Sequence, residues 1–175
     1  GQSDLFAEIR AAALAQNLPI DTIIKEAAPG QFEVNLKHRA DPMAAADDTV
    51  LLRRVISECA DNRGLKATFM AKPFLEWPGN GMHVHASVLD ENGDNIFAGE
   101  EGDKRLQHAA AGLLSTLKDT LLFYIPSFNG YRRLQAGSYA PTRIAWGRNN
   151  RSVAVRVPAS DEKARRLEHR MSGAD

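Results

Sequence analysis

Cysteine is nearly absent. Cys59 is the only one in 175 residues, which excludes an internal disulfide and fits a reducing compartment such as the cytoplasm. It falls in a helical pattern and reads as a small buried hydrophobe. Net charge is absent as well, because 22 basic residues balance 22 acidic ones; nothing points to a nucleic-acid or anionic-membrane partner. Long apolar runs are missing: Leu113 to Ile125 is broken by Lys118 and Asp119, well short of the ~20 residues a bilayer span needs. No leader pattern is read at the start, where Asp4, Glu8 and Arg10 interrupt the apolar residues. There is no Walker-type glycine loop, so a P-loop enzyme is excluded. No internal repeat, linker or low-complexity tract is found. What remains is the composition of an ordinary soluble domain, 43% hydrophobic and 25% charged.

The chain opens on Gly1 and stops at Asp175, shortly after a strongly patterned strand. We therefore expect a fragment of a longer protein. Ser3 and Asp4 start a predicted helix to about Gln16, ended by Pro19. Two β-rich runs, Thr22 to Ala27 and Phe32 to His38, flank Pro29-Gly30. Asp41-Pro42 caps a long helix that stops at Gly64. Strands are predicted over Lys66 to Ala71 and Met82 to Leu89, and a third helix from about Asp103 to Phe123. A long loop covers 126–141, and three strands follow: Thr142 to Gly147, Val153 to Pro158 and Ala164 to Met171. Clustered strands with three helices between them predict an α+β fold on a mainly antiparallel sheet.

Chemistry-bearing residues fall in groups. With a turn centred on Pro29-Gly30, Glu26 is expected to face Glu33 across the hairpin. Like charges so placed cost stability, and a divalent cation would turn that cost into coordination by oxygen ligands that suit Mg²⁺ or Mn²⁺. The alternative is an exposed edge with both carboxylates hydrated. His83, His85 and Ser87 alternate along one strand and share a face. They can serve metal or phosphate, or be hydrogen-bonded structural histidines. Gly79-Asn80-Gly81 ahead of them lets backbone approach a ligand closely. Arginines crowd the C-terminal part: Arg132, Arg133, Arg143, Arg148, Arg151, Arg156, Arg165, Arg166 and Arg170. Guanidinium forks match phosphate and carboxylate oxygens. Surface salt bridges explain Arg132 or Arg165 well, and Arg156 and Arg170 poorly. Metal-binding carboxylates and histidines followed by arginines amount to phosphoryl-transfer equipment.

In their order these motifs resemble the glutamine synthetase family. Glu26-Ala-Ala-Pro-Gly-Gln-Phe-Glu33 looks like its two metal glutamates around a Pro-Gly-Gln turn, and Thr68-Phe-Met-Ala-Lys-Pro73 like the strand before its glycine loop. Gly79-Asn-Gly-Met-His-Val-His-Ala-Ser87 is similar to its Gly-x-Gly-Met-His-x-His-x-Ser signature. Tyr131-Arg-Arg-Leu134, Asn150-Arg-Ser152 and Lys163-Ala-Arg-Arg-Leu-Glu-His-Arg170 complete the match, which covers nearly the whole chain. The resemblance implies a partial glutamine synthetase-type catalytic domain over 1–175, with a curved antiparallel split barrel and helices packed outside. It implies ATP and two or more Mg²⁺ or Mn²⁺ as cofactors, and glutamate and an amine as substrates. Glu26 and Glu33 would hold one metal, His83 and Glu168 another. Gly79 and Arg133 would contact glutamate. His85, Ser87, Lys163, Arg166 and, by stacking, His38 would line the nucleotide site. Arg151, Arg156 and Arg170 would stabilise the transferred phosphate. The implied reaction phosphorylates glutamate's γ-carboxylate, then lets an amine attack the acyl phosphate in a site that keeps water out.

Two departures bear on the amine. The family's flap carries Pro-Gly-x-Glu-Ala-Pro, whereas this chain reads Ala136-Gly-Ser-Tyr139-Ala-Pro141. Tyr139 thus replaces a glutamate that helps bind ammonium and accept its proton; a phenol does both poorly near neutral pH. The family's Asn-Gly at the glutamate loop is Pro78-Gly79 here, which removes a side-chain amide. Both changes favour an amine larger than ammonia, as in type I-like members that act on polyamines. Ordinary glutamine formation and a non-catalytic relative stay open; the retained Glu26, Glu33, His83 and Glu168 argue against the latter. Phosphagen kinases also use an arginine cluster on ATP, but neither the Pro-Gly-Gln nor the Met-His-x-His motif suits them. The resemblance also implies a cytoplasmic homo-oligomeric ring, whose N-terminal β-domain, further metal glutamates and both flanking segments lie outside this chain.

Overall fold

Helix α1 (Gln2–Ala15) buries Ile9 and Ala13. Its exit is made by Asn17, whose φ of 57° is the left-handed conformation that Asn tolerates better than most residues. The break therefore precedes Pro19. A computed structural model describes residues 1–175, and this helix belongs to the first of two units, residues 1–68. There α2 (Pro42–Asp61) starts as the sequence predicts. Asp41 accepts from the backbone N–H groups of Met43 (2.9 Å) and Ala44 (3.2 Å), with Pro42 in the first turn. Strands β1 (Ile20–Lys25) and β2 (Phe32–Leu36) pair antiparallel. Their inner side joins Leu52, Val55 and Cys59 of α2 in one apolar core with Ile9, Ala13, Leu18 and Ile20.

The hairpin register corrects one expectation. The turn does centre on Pro29-Gly30: Gln31 N–H donates to Ala28 O (3.1 Å) and Gly30 has φ +69°, the position that a type II turn reserves for glycine. Yet Ile24 opposes Glu33, and Glu26 N–H donates to Gln31 O at 3.0 Å. Ala27 and Ala28 are accommodated as extra residues in the loop, so Glu26 is the diagonal rather than the facing neighbour of Glu33. Both still share one face, by the alternation of the strands.

The second unit, residues 69–175, holds a four-stranded sheet in the order β3 (Val84–Ala86), β6 (Leu167–His169), β5 (Val153–Val157), β4 (Arg143–Arg148). The β3–β6 and β6–β5 pairs are antiparallel, while β5–β4 is parallel. Three of the four strand pairs are therefore antiparallel, as expected, and the one parallel pair makes this sheet mixed; alternation along a strand does not encode its partner's direction. The strands form a two-stranded and a four-stranded sheet, not a closed barrel. Helix α3 (Gly102–Leu117) lays Leu106 and Ala110 against Val155, Val157 and Leu167. A second cluster joins Leu117, Ile125, Ala154 and Met171.

Three further predictions shift. Residues 66–71 form no strand; the carbonyls of Met70 and Ala71 are taken by Asn80 (2.9 and 2.8 Å) rather than by a ladder. The third helix ends at Leu117 and resumes as α4 (Leu121–Tyr124). Thr120 Oγ1 bonds back to Thr116 O at 2.8 Å, a local competition that interrupts helices. Inside the expected 126–141 loop lies α5 (Phe128–Arg133), capped by Ser127, whose hydroxyl accepts from Gly130 N–H. No helix is long and apolar enough to cross a membrane.

Asp41→Ala is expected to cost about 1 kcal/mol of the first unit's stability, read as a lower urea midpoint. An unchanged midpoint would mean that the cap observed here contributes nothing.

Candidate active site

Strand β6 builds the centre of the second unit. The register places His85 opposite Glu168, and Glu168 opposite Arg156, so three side chains from three adjacent strands form one row on one face. Arg170 follows two residues after Glu168 and His83 two before His85, which keeps both on that face. Their Val84, Val155 and Leu167 neighbours turn the other way, and the last two enter the core.

Glu168 is 2% exposed and Arg170 3%. Arg170 Nη1 donates to Glu168 Oε1 (2.5 Å), and Arg156 Nη1 donates to Oε2 (2.9 Å). His83 Nδ1 stands 3.3 Å from Oε1, and His85 Nε2 3.9 Å from it. Burial works against ionisation of Glu168, but Arg170, the two histidines and Arg156 outweigh it and hold the carboxyl below its ordinary range. Burial, then the charge of Arg170, pushes His83 down to about 3, so its imidazole is neutral and keeps a lone pair. Arg166 Nε donates to His85 Nδ1 at 3.0 Å, which makes that nitrogen an acceptor and puts the ring proton on Nε2.

Arg170 is more than a counter-ion. Its Nη2 donates to Tyr139 O (3.0 Å) and its Nε to Arg151 O (3.2 Å). The side chains of Tyr139 (71% exposed) and Arg151 extend to solvent, and Tyr139 has φ 56°, an uncommon conformation for a bulky residue. Arg133 is buried, and its Nη1 and Nη2 donate to the carbonyls of Met171 and Arg170, each at 2.9 Å. Burial and nearby Arg170 lower it to about 10. Two of its donors therefore brace the exit of β6, a commitment the sequence did not suggest for a residue expected to hold glutamate. Gly79 lies against this brace: a Cβ there would stand 2.4 Å from Ala71 O and 2.9 Å from Arg133 Cγ. Ser87 and Lys163 are exposed; the carbonyl of Lys163 accepts from Asn95 Nδ2 at 3.0 Å.

In the first unit Glu26 and Glu33 are half-buried on the outer face of the hairpin. Asn35 Nδ2 donates to Glu33 Oε1 (2.9 Å) and Thr22 Oγ1 (3.1 Å). His38 is exposed beyond the end of β2. Sequence reasoning missed Lys72, which is 4% exposed and donates to Trp77 O at 2.6 Å. It missed Asn129 too, whose amide grips the backbone N–H and C=O of Lys72 (2.7 and 2.9 Å). A lysine before a proline gives no periodic signal of burial.

Divalent metal fits this donor set in part. Cis ligands of an octahedral ion, each ~2.1 Å away, stand ~3 Å apart, close to the 3.3 Å between His83 Nδ1 and Glu168 Oε1. The arginines on both Glu168 oxygens must yield for an ion to enter. No group of three acidic, histidine or cysteine residues converges anywhere in the chain.

Comparison with known proteins gives the chain's family. Residues 1–175 match the family described as glutamine synthetase, catalytic domain. The gamma-glutamylputrescine synthetase PuuA of Escherichia coli is 39% identical over 175 residues, 99% of this chain and 37% of that protein. A glutamate–isopropylamine ligase of a Pseudomonas species is 36% identical, over 99% of this chain and 38% of its own length. The glutamine synthetase of Pyrococcus woesei is 36% identical, over 95% and 38%. The chain thus spans well under half the length of these relatives.

Glu168→Gln is expected to destabilise the second unit by about 3–5 kcal/mol, because it strands buried guanidinium charge. The double variant Glu168→Gln/Arg170→Met should lose less than the sum of the single losses. Denaturant titration of all three proteins checks this, and strict additivity would show that the pair is not coupled.

Proposed function

The chain belongs to the glutamine synthetase family, and on that premise we propose that the complete protein is an ATP-dependent carbon–nitrogen ligase. It joins an amine to the γ-carboxylate of glutamate through γ-glutamyl phosphate. The observation that carries this reading is the row His85–Glu168–Arg156 with His83 and Arg170 beside it, a neutral imidazole and a carboxylate set among guanidiniums. Bound Mg²⁺ or Mn²⁺ would neutralise phosphate oxygens and orient the reacting groups.

This chain's own residues then divide the work. His83 and Glu168 hold one ion, and Glu26 and Glu33 another. Arg156 and Arg170, with Arg151 beside them, stabilise charge on the phosphoryl group as it moves. His85, held by Arg166, lines the nucleotide site with Ser87, Lys163 and His38. Gly79 admits glutamate close to the backbone, and Arg133 fixes its carboxylate with the donors that the β6 carbonyls leave over. The remaining metal glutamates, an N-terminal β-domain, the other strands of a split barrel and the subunit contacts of a homo-oligomeric ring lie in the rest of the protein. A cytoplasmic location suits the need for ATP and glutamate.

For the amine, Tyr139 supports a substrate larger than ammonia. The flap position carries a phenol where ammonium would call for a carboxylate, and its ring is open to a carbon chain. The similarity to a gamma-glutamylputrescine synthetase and a glutamate–isopropylamine ligase supports the same choice. The Pyrococcus glutamine synthetase, at similar identity, keeps ammonia as the second reading.

ATP turnover by the full-length protein, with glutamate and either putrescine or ammonia, is expected to favour putrescine at least about tenfold in kcat/KM, some 1.4 kcal/mol. Equal rates would sink the larger-amine reading. Tyr139→Glu should move the ratio toward ammonia.

A further inference from the structure

The residues from Phe74 to Trp77 carry no role in the chemistry above, yet the loop that holds them, between Lys72 and Gly79, is tied down along its length. Asn80 ties its far end through N–H to Ala71 O (2.8 Å) and Nδ2 to Met70 O (2.9 Å). Asn129 clamps the backbone of Lys72 at its near end. Between them, the buried Lys72 ammonium donates to Trp77 O at 2.6 Å. Burying an ammonium is costly, and no carboxylate pairs with this one. A loop whose ends meet and whose middle is pinned is an Ω-loop, a frequent carrier of function.

The loop displays two aromatic rings and a carboxylate to solvent. Phe74, Leu75 and Trp77 are 53%, 59% and 40% exposed. The Phe74 and Trp77 rings stay together in the open, with centroids 4.8 Å apart and planes at 54°. Glu76 lies between them in sequence, is exposed and forms no ion pair. Aromatic faces attract cations, tryptophan most of all, and an unpaired carboxylate adds a full opposite charge. Trp77 stands two residues before Gly79, at most about 7 Å along the chain, which is the scale of a short diamine.

We propose that the loop Lys72–Gly79 carries a seat for the distal ammonium of a diamine, built from the Phe74–Trp77 ring pair and the Glu76 carboxylate. Lys72 is a positioning residue for it. The seat rests on the larger-amine reading and gives it a structural basis: one nitrogen reaches the acyl phosphate while the other is held on the loop. A monoamine of the same carbon length lacks the second charge and gains nothing there.

The test uses full-length protein, ATP, glutamate, and putrescine or butylamine as the amine. Glu76→Gln is expected to lower the putrescine-to-butylamine ratio of kcat/KM about threefold, and Trp77→Leu, which keeps apolar bulk, about threefold to fivefold, in line with cation–π and ion-pair strengths at exposed sites. Lys72→Met should lower the same ratio. An unchanged ratio in both Glu76→Gln and Trp77→Leu overturns the seat. So does a Trp77→Leu protein that changes oligomer size in sedimentation while the ratio holds, since the rings would then serve a subunit contact. The larger-amine reading falls separately, on the wild-type comparison of putrescine with ammonia. A wild type that turns over neither putrescine nor butylamine overturns both.

Discussion

A carboxylate enclosed by guanidiniums organises the second unit. Glu168 sits at 2% exposure on the middle of three strands, with Arg170 on one oxygen and Arg156 on the other. Alone, each of these charges would be intolerable at such depth; together they form a cluster whose members cannot be removed singly. Arg170 then passes the constraint outward through the carbonyls of Tyr139 and Arg151. Backbone that is otherwise irregular is thereby registered against the sheet. The segments around Tyr139 and Arg151 hang from the same arginine.

Much of this was legible in the residues. Alternation put His83 and His85 on one face, and Arg166, Glu168 and Arg170 on another, and the strand register brings those faces together. Inward-facing Arg156 and Arg170 stood out because surface pairing explained them poorly. Less legible was anything that depends on what lies across a strand. The Glu26–Glu33 relation failed by a shift in register, since the turn residues fix where the chain reverses but not how many residues the loop absorbs. The missing strand at 66–71 is a failure of the same kind, and the parallel direction of the β4–β5 pair was not legible either: local pattern specifies a face and leaves the partner open.

Buried cations with carbonyl partners form a second class of omission. Arg133 and Lys72 both spend donors on backbone oxygen. In a sequence such residues look like surface charge. In the fold they are braces: Arg133 packs under Gly79, and Lys72 holds the Trp77 carbonyl. Desolvation of these groups is a stability cost carried by parts of the molecule that must be rigid for a small ligand to be oriented.

The stretch from Phe74 to Trp77 has a consequence for how such a protein can diversify. Its supports, Lys72, Asn80 and Asn129, all bind through backbone atoms or to backbone atoms, so none of these hydrogen bonds uses a side chain at 74–77. Gly79, by contrast, admits no added carbon. Evolution or engineering could exchange the displayed residues as a cassette, changing the surface the loop presents while the four-stranded sheet stays as it is.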